Sequence, residues 1–116
     1  MNTIGSLFSG IGGLELGLER AGLGETIWQC ESNPYAQKVL AKHWPGVKCY
    51  EDIRGINGAT PRPDIICGGF PCQDISVAGK GAGLEGERSG LWGEMLRVIR
   101  LLRPRIVIVE NVPALL

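Results

Sequence analysis

The stretch Asp64-Ile65-Ile66-Cys67-Gly68-Gly69-Phe70-Pro71-Cys72-Gln73-Asp74-Ile75-Ser76 decides how the rest of the chain is read. Asp64 to Cys67 is a short apolar run, the pattern of a parallel strand buried on both faces. The two glycines are expected to break that strand, and Pro71 then delivers Cys72 to the place where the chain leaves the sheet. In open α/β sheets, ligands bind outside the carboxyl ends of the strands. A thiol there is placed to act as a nucleophile. The competing reading, a cysteine that merely fills space in the core, fits poorly between Gly-Gly and Gln-Asp.

Working outward, strands and helices alternate. Thr3 to Phe8 reads as a first strand, ending in the turn Ser9-Gly10-Ile11-Gly12-Gly13. Leu14, Leu18 and Ala21 recur at helical spacing with Glu15 and Glu19 on the opposite side, and Gly22 stops the helix. Thr26 to Cys30 is a second strand ending at Glu31. Asn33 is a natural N-cap, with Pro34 at the first helical position. Val47 to Tyr50 is a short third strand ending near Asp52, and Gly55 to Pro63 is loop. Beyond Cys72 lies a glycine-rich segment, Gly79 to Gly90. Leu91, Met95, Val98, Ile99 and Leu102 then mark a helix whose other face carries Glu94, Arg97 and Arg100, ended by Pro104. Arg105 to Val109 is a fifth, strongly β-branched strand that stops at Glu110. The expectation is one α/β unit over residues 1–116, a Rossmann-like parallel sheet of about five strands. It contains no internal repeat and no linker.

Composition narrows the function. The chain has 116 residues with 44% hydrophobic content, enough for one domain with a modest core. Twelve basic and twelve acidic side chains cancel, so no global field draws the chain to nucleic acid. The four cysteines show no C-x-x-C spacing and no secretory signal precedes them. Free thiols in a reducing cytoplasm are therefore expected, with no metal site. No apolar run approaches the roughly 20 residues of a membrane span.

Every polar residue of interest falls at a strand's carboxyl end: Phe8 to Gly13, Glu31, Asp52, Cys72 and Glu110. One such residue means little, but five on one sheet edge describe a site. A glycine turn between the first strand and first helix allows a ligand to approach the backbone. An acidic residue some 20 positions on can accept hydrogen bonds from ribose hydroxyls, and Glu31 fits. The run Gly10-Ile11-Gly12-Gly13-Leu14-Glu15 ends in glutamate where a dinucleotide fingerprint wants glycine, which argues against a nicotinamide cofactor. Phe8 can pack against an adenine ring and Asp52 can accept from its amine. Asp52 also suits a turn cap.

Leu7-Phe8-Ser9-Gly10-Ile11-Gly12-Gly13, Phe70-Pro71-Cys72-Gln73 and Glu110-Asn111-Val112, in this order and context, resemble the amino-terminal half of the DNA (cytosine-5) methyltransferase family. The resemblance covers essentially the whole chain. It implies a class I S-adenosylmethionine-dependent methyltransferase fold that is incomplete at its carboxyl end. It implies that Phe8, Ser9, Gly10, Ile11, Gly12 and Gly13 hold S-adenosylmethionine, that Glu31 binds its ribose, and that Asp52 with Ile53 holds the adenine. Cys72 becomes the nucleophile and Glu110 the residue that contacts the cytosine ring. Arg88-Ser89-Gly90-Leu91 is similar to the start of the family's helix after the catalytic loop. Serine stands at position 6, where many members carry aspartate.

The implied chemistry explains the residue types. Cytosine C5 is a poor nucleophile, and a thiolate adding at C6 turns it into an enamine carbon able to attack a sulfonium methyl. A proton shared at N3 would neutralise the charge placed on the ring, so Glu110 is expected to be buried and transiently protonated. The base must leave the duplex to be reached, and Gly79 to Gly90 would close over it. Double-stranded DNA is the implied substrate. Transfer RNA, the substrate of a related branch, and a cofactor-binding remnant without catalysis are the competing readings. The family continues with an arginine-bearing motif, a target-recognition region and a last helix, so a carboxyl-terminal portion in cis or in trans is an expected partner. The target sequence and any restriction partner are not legible. Cytoplasmic residence, with nucleoid association in a bacterial or phage setting, follows from the same resemblance.

Overall fold

The computed structural model describes residues 1–69 and 87–110. Its elements are β1 (Thr3–Leu7), α1 (Gly13–Arg20), β2 (Glu25–Cys30), α2 (Pro34–His43), β3 (Lys48–Tyr50), a 3-10 turn (Ile53–Gly55), β4 (Ile65–Gly69), α3 (Glu87–Leu102) and β5 (Ile106–Glu110). The five strands form one sheet in the order β3-β2-β1-β4-β5, and every pairing is parallel. The order runs outward from β1 in both directions, which opens a crevice between the carboxyl ends of β1 and β4, where such sheets bind ligands.

Each face of the sheet carries its own core. On one, Leu7, Trp28, Cys30 and Ile66 meet Ile53 and Ile56 of the turn region and Met95, Val98 and Leu102 of α3. On the other, Ile4, Ile65 and Cys67 meet Leu18 of α1. Gly5 in β1 is matched to Trp28: a Cβ there would lie 2.6 Å from the ring's Cε2. The ring itself is anchored by its Nε1 donating to the Pro61 carbonyl at 2.8 Å. A bare backbone under a bulky ring lets the middle of the sheet stay close-packed.

Several expectations are corrected here. Gly68 and Gly69 continue β4, pairing with Val109 and Glu110. Their small size serves packing, because a Cβ on Gly68 would stand 3.1 Å from Met95 Cε of α3. Strand β1 ends at Leu7, since Phe8 takes the left-handed region (φ 52°). Helix α3 starts at Glu87, so part of the expected glycine-rich loop is helical and Arg88 to Leu91 do open a helix. Cys72 and the remainder of that loop lie outside the described residues. Asn33 caps α2 as expected, accepting from the Tyr35 and Ala36 amides at 2.9 and 3.1 Å with Pro34 following. Among the described residues, no helix is long and apolar enough to cross a membrane.

Candidate active site

The turn after β1 is built by positive-φ residues and by bonds from three directions. Phe8, Gly10 and Gly12 all lie in the left-handed region, a cost of order 1–3 kcal/mol for the phenylalanine that surrounding bonds must offset. Those bonds are explicit. The Ser9 amide donates to the Cys30 carbonyl at 3.1 Å and the Gly12 amide to the Ser9 carbonyl at 2.8 Å. The Ser9 hydroxyl donates to the Ser6 hydroxyl at 2.8 Å. Ser6 is buried in β1, so serine at this position anchors the turn. At Gly12 a side chain would also strike the Trp44 ring.

Glu31, at the end of β2, braces the same turn. One carboxylate oxygen accepts the Gly10 amide at 2.7 Å, and the other accepts the Asn33 amide at 2.9 Å. Each oxygen keeps a lone pair free for a ligand. Asp52 does what a cap does, accepting from the Arg54 amide at 2.9 Å at the head of the 3-10 turn. It also lines a ligand-sized cavity. Phe8, Gly10, Glu31, Asp52, Ile53 and Gly69 surround this space of about 480 Å³, so the expected cofactor residues of the first three strands' ends do converge.

A second cavity of about 550 Å³ lies on the other side of Phe8, lined by Ser6, Ser9, Ile11, Gly13, Glu15 and Glu110 among others. The two spaces share Phe8, Gly10 and Gly69, which places their junction at the crevice between β1 and β4. Glu110 arrives there from β5, its Oε1 3.5 Å from where a Gly69 Cβ would stand. The expectation of a buried Glu110 is not met: the residue is exposed, because it ends an outermost strand of the described sheet.

The described cysteines are poor nucleophiles. Burial pushes the Cys30 and Cys67 thiols up to about 12, helped at Cys30 by Cys49 and Glu31 and at Cys67 by Glu15. Cys49 is also raised, chiefly by burial. The reactive form is the thiolate, so none of these three thiols is primed to act as a nucleophile. Among the described residues no group of three or more His, Cys, Asp or Glu is arranged to hold a metal.

Two residues were placed wrongly from the pattern. Glu15, expected on the outer side of α1, is completely buried, with its Oε2 accepting from Gln29 Nε2 at 3.1 Å and its Oε1 without a partner. Leu16 is the residue turned outward. The available signal was Gln29, a polar residue inside the strand Ile27-Trp28-Gln29-Cys30 that needs a buried partner. Arg97, expected on the outer face of α3, instead donates through Nη2 to the Ile53 carbonyl at 3.0 Å and through Nη1 to the Ile56 carbonyl at 2.9 Å. Nothing in the periodicity of α3 reports such a contact.

A glycine turn, an acidic residue just past β2 and paired cavities at the switch point of a parallel sheet mark a Rossmann-like fold, and its likeness to solved structures makes it that of the class I S-adenosylmethionine-dependent methyltransferases. A prophage-encoded protein of E. coli assigned to the DNA modification methyltransferases has this fold, with a TM-score of 0.80 at 28% identity over 100% of this chain and 33% of its own. A methyltransferase of Entamoeba histolytica shares the fold at 22% identity and a TM-score of 0.75, with 99% of this chain and 39% of that one covered. The profile of the C-5 cytosine-specific DNA methylases matches residues 2–116, and the chain belongs to that family. The type II methyltransferase M2.BsuMI of Bacillus subtilis is 46% identical over 96% of this chain and 29% of its own length. The type II methyltransferase M.HhaI of Haemophilus parahaemolyticus is 41% identical over 91% of this chain and 32% of its own. The chain thus spans about three tenths of the length of these relatives.

Proposed function

We propose that this chain supplies the cofactor pocket, the nucleophile and the ring-contacting acid of an enzyme that methylates C5 of cytosine in DNA. The observation that carries this reading is the convergence of Phe8, Glu31, Asp52 and Ile53 on one cavity, with Glu110 across the shared Gly69 edge. The residues fit S-adenosylmethionine: two carboxylates for hydroxyl and amine donors, an apolar pair for the purine, and a turn whose backbone a ligand can approach. The bound cofactor supplies an electrophilic methyl group on a sulfonium. Phe8 and Ile53 would hold the adenine, Asp52 would accept from its amine, Glu31 would accept from the ribose, and Ser9 to Gly13 would hold the remainder.

Cys72, as thiolate, adds to C6 of a cytosine swung out of the duplex, and the ring's electron pair moves to C5. Glu110 holds a proton toward N3 as this happens. Once C5 has gained the methyl group, with S-adenosylhomocysteine as the leaving product, the C5 proton passes to water, the pair of that C–H bond re-forms the C5–C6 double bond as the thiolate leaves C6, and the N3 proton returns to Glu110. Target recognition is assigned to a carboxyl-terminal portion in cis or in trans. The test is Cys72→Ala in a full-length enzyme bearing this segment. Methylation should vanish while S-adenosylhomocysteine binding persists, and surviving methylation would overturn the mechanism.

A further inference from the structure

The 3-10 turn Ile53–Gly55 presents both Asp52 and Ile53 to the 480 Å³ cavity. Such turns are weakly hydrogen-bonded and rarely hold a shape unaided. This one is closed at its head by Asp52, whose Oδ1 takes the Arg54 amide. Its tail is held from outside. The Arg97 guanidinium forks across it, Nη2 on the Ile53 carbonyl and Nη1 on the Ile56 carbonyl, while Glu94 Oε1 receives Nε at 2.7 Å and fixes the plane. Arg97 sits on α3, and Met95, Val98 and Leu102 of that helix are packed into the sheet core. The fork therefore ties a cavity wall to a rigid element.

We propose that Arg97 is a positioning residue for the adenosine end of the cofactor pocket. It acts through the Ile53 and Ile56 carbonyls and touches no ligand itself. The inference rests on the cofactor reading given above. A planar guanidinium can span two carbonyls and a carboxylate at once, and an ammonium cannot. Without the fork, the Ile53 carbonyl keeps the Ile56 amide at 3.1 Å, and the Asp52–Ile53 wall is held by its cap and by the packing of Ile53 and Ile56 alone, where a displacement of about an ångström is enough to weaken a ligand contact.

The experiment compares the 116-residue chain with its Arg97→Ala and Arg97→Lys variants, using S-adenosylhomocysteine as the probe. Amide hydrogen exchange at residues 53–56 of the unliganded chain should quicken about tenfold in Arg97→Ala, while the β1 and β4 amides keep their protection. The Kd of the probe should rise about tenfold in Arg97→Ala and about threefold in Arg97→Lys. In a full-length enzyme bearing this segment, the cofactor KM should rise by the same factors with kcat at saturating cofactor held within about twofold. A lowered Tm with unchanged exchange at 53–56 and unchanged Kd would overturn the inference, leaving Arg97 as a general brace. If Arg97→Ala fails to fold, Arg97→Lys decides alone, and an unaltered Kd in it refutes the positioning role. Absence of probe binding to the unaltered chain would instead remove the cofactor reading and this inference with it.

Discussion

Replacing Glu31 should damage folding and ligand binding together, and the structure sets the size of each. Its two carboxylate oxygens accept the Gly10 and Asn33 amides at 2.7 and 2.9 Å. Hydrogen bonds to a charged acceptor contribute about 1.5–3 kcal/mol each when sheltered. The Asn33 bond is exposed and the Gly10 bond only partly buried, so water recovers most of the first and some of the second. Glu31→Ala is therefore expected to cost about 2 kcal/mol of stability, or about 8 °C or more in Tm for a domain of this size. Glu31→Gln keeps one acceptor but points an amide N–H at a backbone N–H, so it should fall between the native protein and Glu31→Ala. The lost ribose acceptor costs ligand binding about 1–3 kcal/mol, a weakening of about fivefold to 150-fold. Differential scanning calorimetry of the unliganded chain reads the first effect, and isothermal titration with S-adenosylhomocysteine reads the second. A native Tm in Glu31→Ala would refute the brace on the glycine turn. A lowered Tm with an unchanged Kd would refute the ribose assignment.

Gly5→Ala should lose about 1–3 kcal/mol by overpacking, as judged by urea denaturation, because the Trp28 ring beneath it is anchored to Pro61 and cannot move aside. Iodoacetamide at pH 8 followed by peptide mass spectrometry should modify Cys72 first and leave Cys30 and Cys67 untouched. The same two thiols, raised to about 12 when folded, contribute stability that is complete below the unfolded thiol range near pH 8.5 and is lost as pH rises toward 12. Cys67→Ala should accordingly flatten the alkaline limb of a stability–pH curve. Glu15→Gln should change stability by less than about 2 kcal/mol, since Gln29 keeps an acceptor and a carboxyl leaves the core, while the unpartnered oxygen is exchanged for an equally unpartnered amide nitrogen; a larger loss in denaturant would contradict that account.

The strands and the site edge were legible because their signals are local. Ile65-Ile66 and Ile106-Val107-Ile108-Val109 are apolar or β-branched runs of strand length, and the parallel sheet follows from their alternation with helices. Glu31 and Asp52 were found by standing just past such runs. Cross-chain partners set what was not legible. Whether Gly68 breaks a strand or continues it depends on its pairing with Leu7 and Val109, both distant in the chain. Whether Glu15 faces water depends on Gln29, and whether Arg97 does depends on two carbonyls of the 3-10 turn. A polar residue at an outer helical position reads as solvated unless its partner is already known, so polar residues bonded across the chain are where periodicity fails. Glu15 and Arg97 both failed in this way, and both sit against the site.

Glu110 places a condition on the proposed chemistry. The proposed contact with the cytosine ring needs Glu110 enclosed with its substrate, yet Glu110 is exposed at the end of β5. Strand β5 is also exposed along its length, with Ile106 at 49% and Val107 and Val109 each at 39% accessibility, so the unburied acid lies on an unburied apolar edge. Both are covered by the same event if further polypeptide or the flipped base closes over the β4–β5 end of the crevice. The proposed ring contact is thereby tied to assembly of the full site, while the cavity around Glu31 and Asp52 is already formed within this chain.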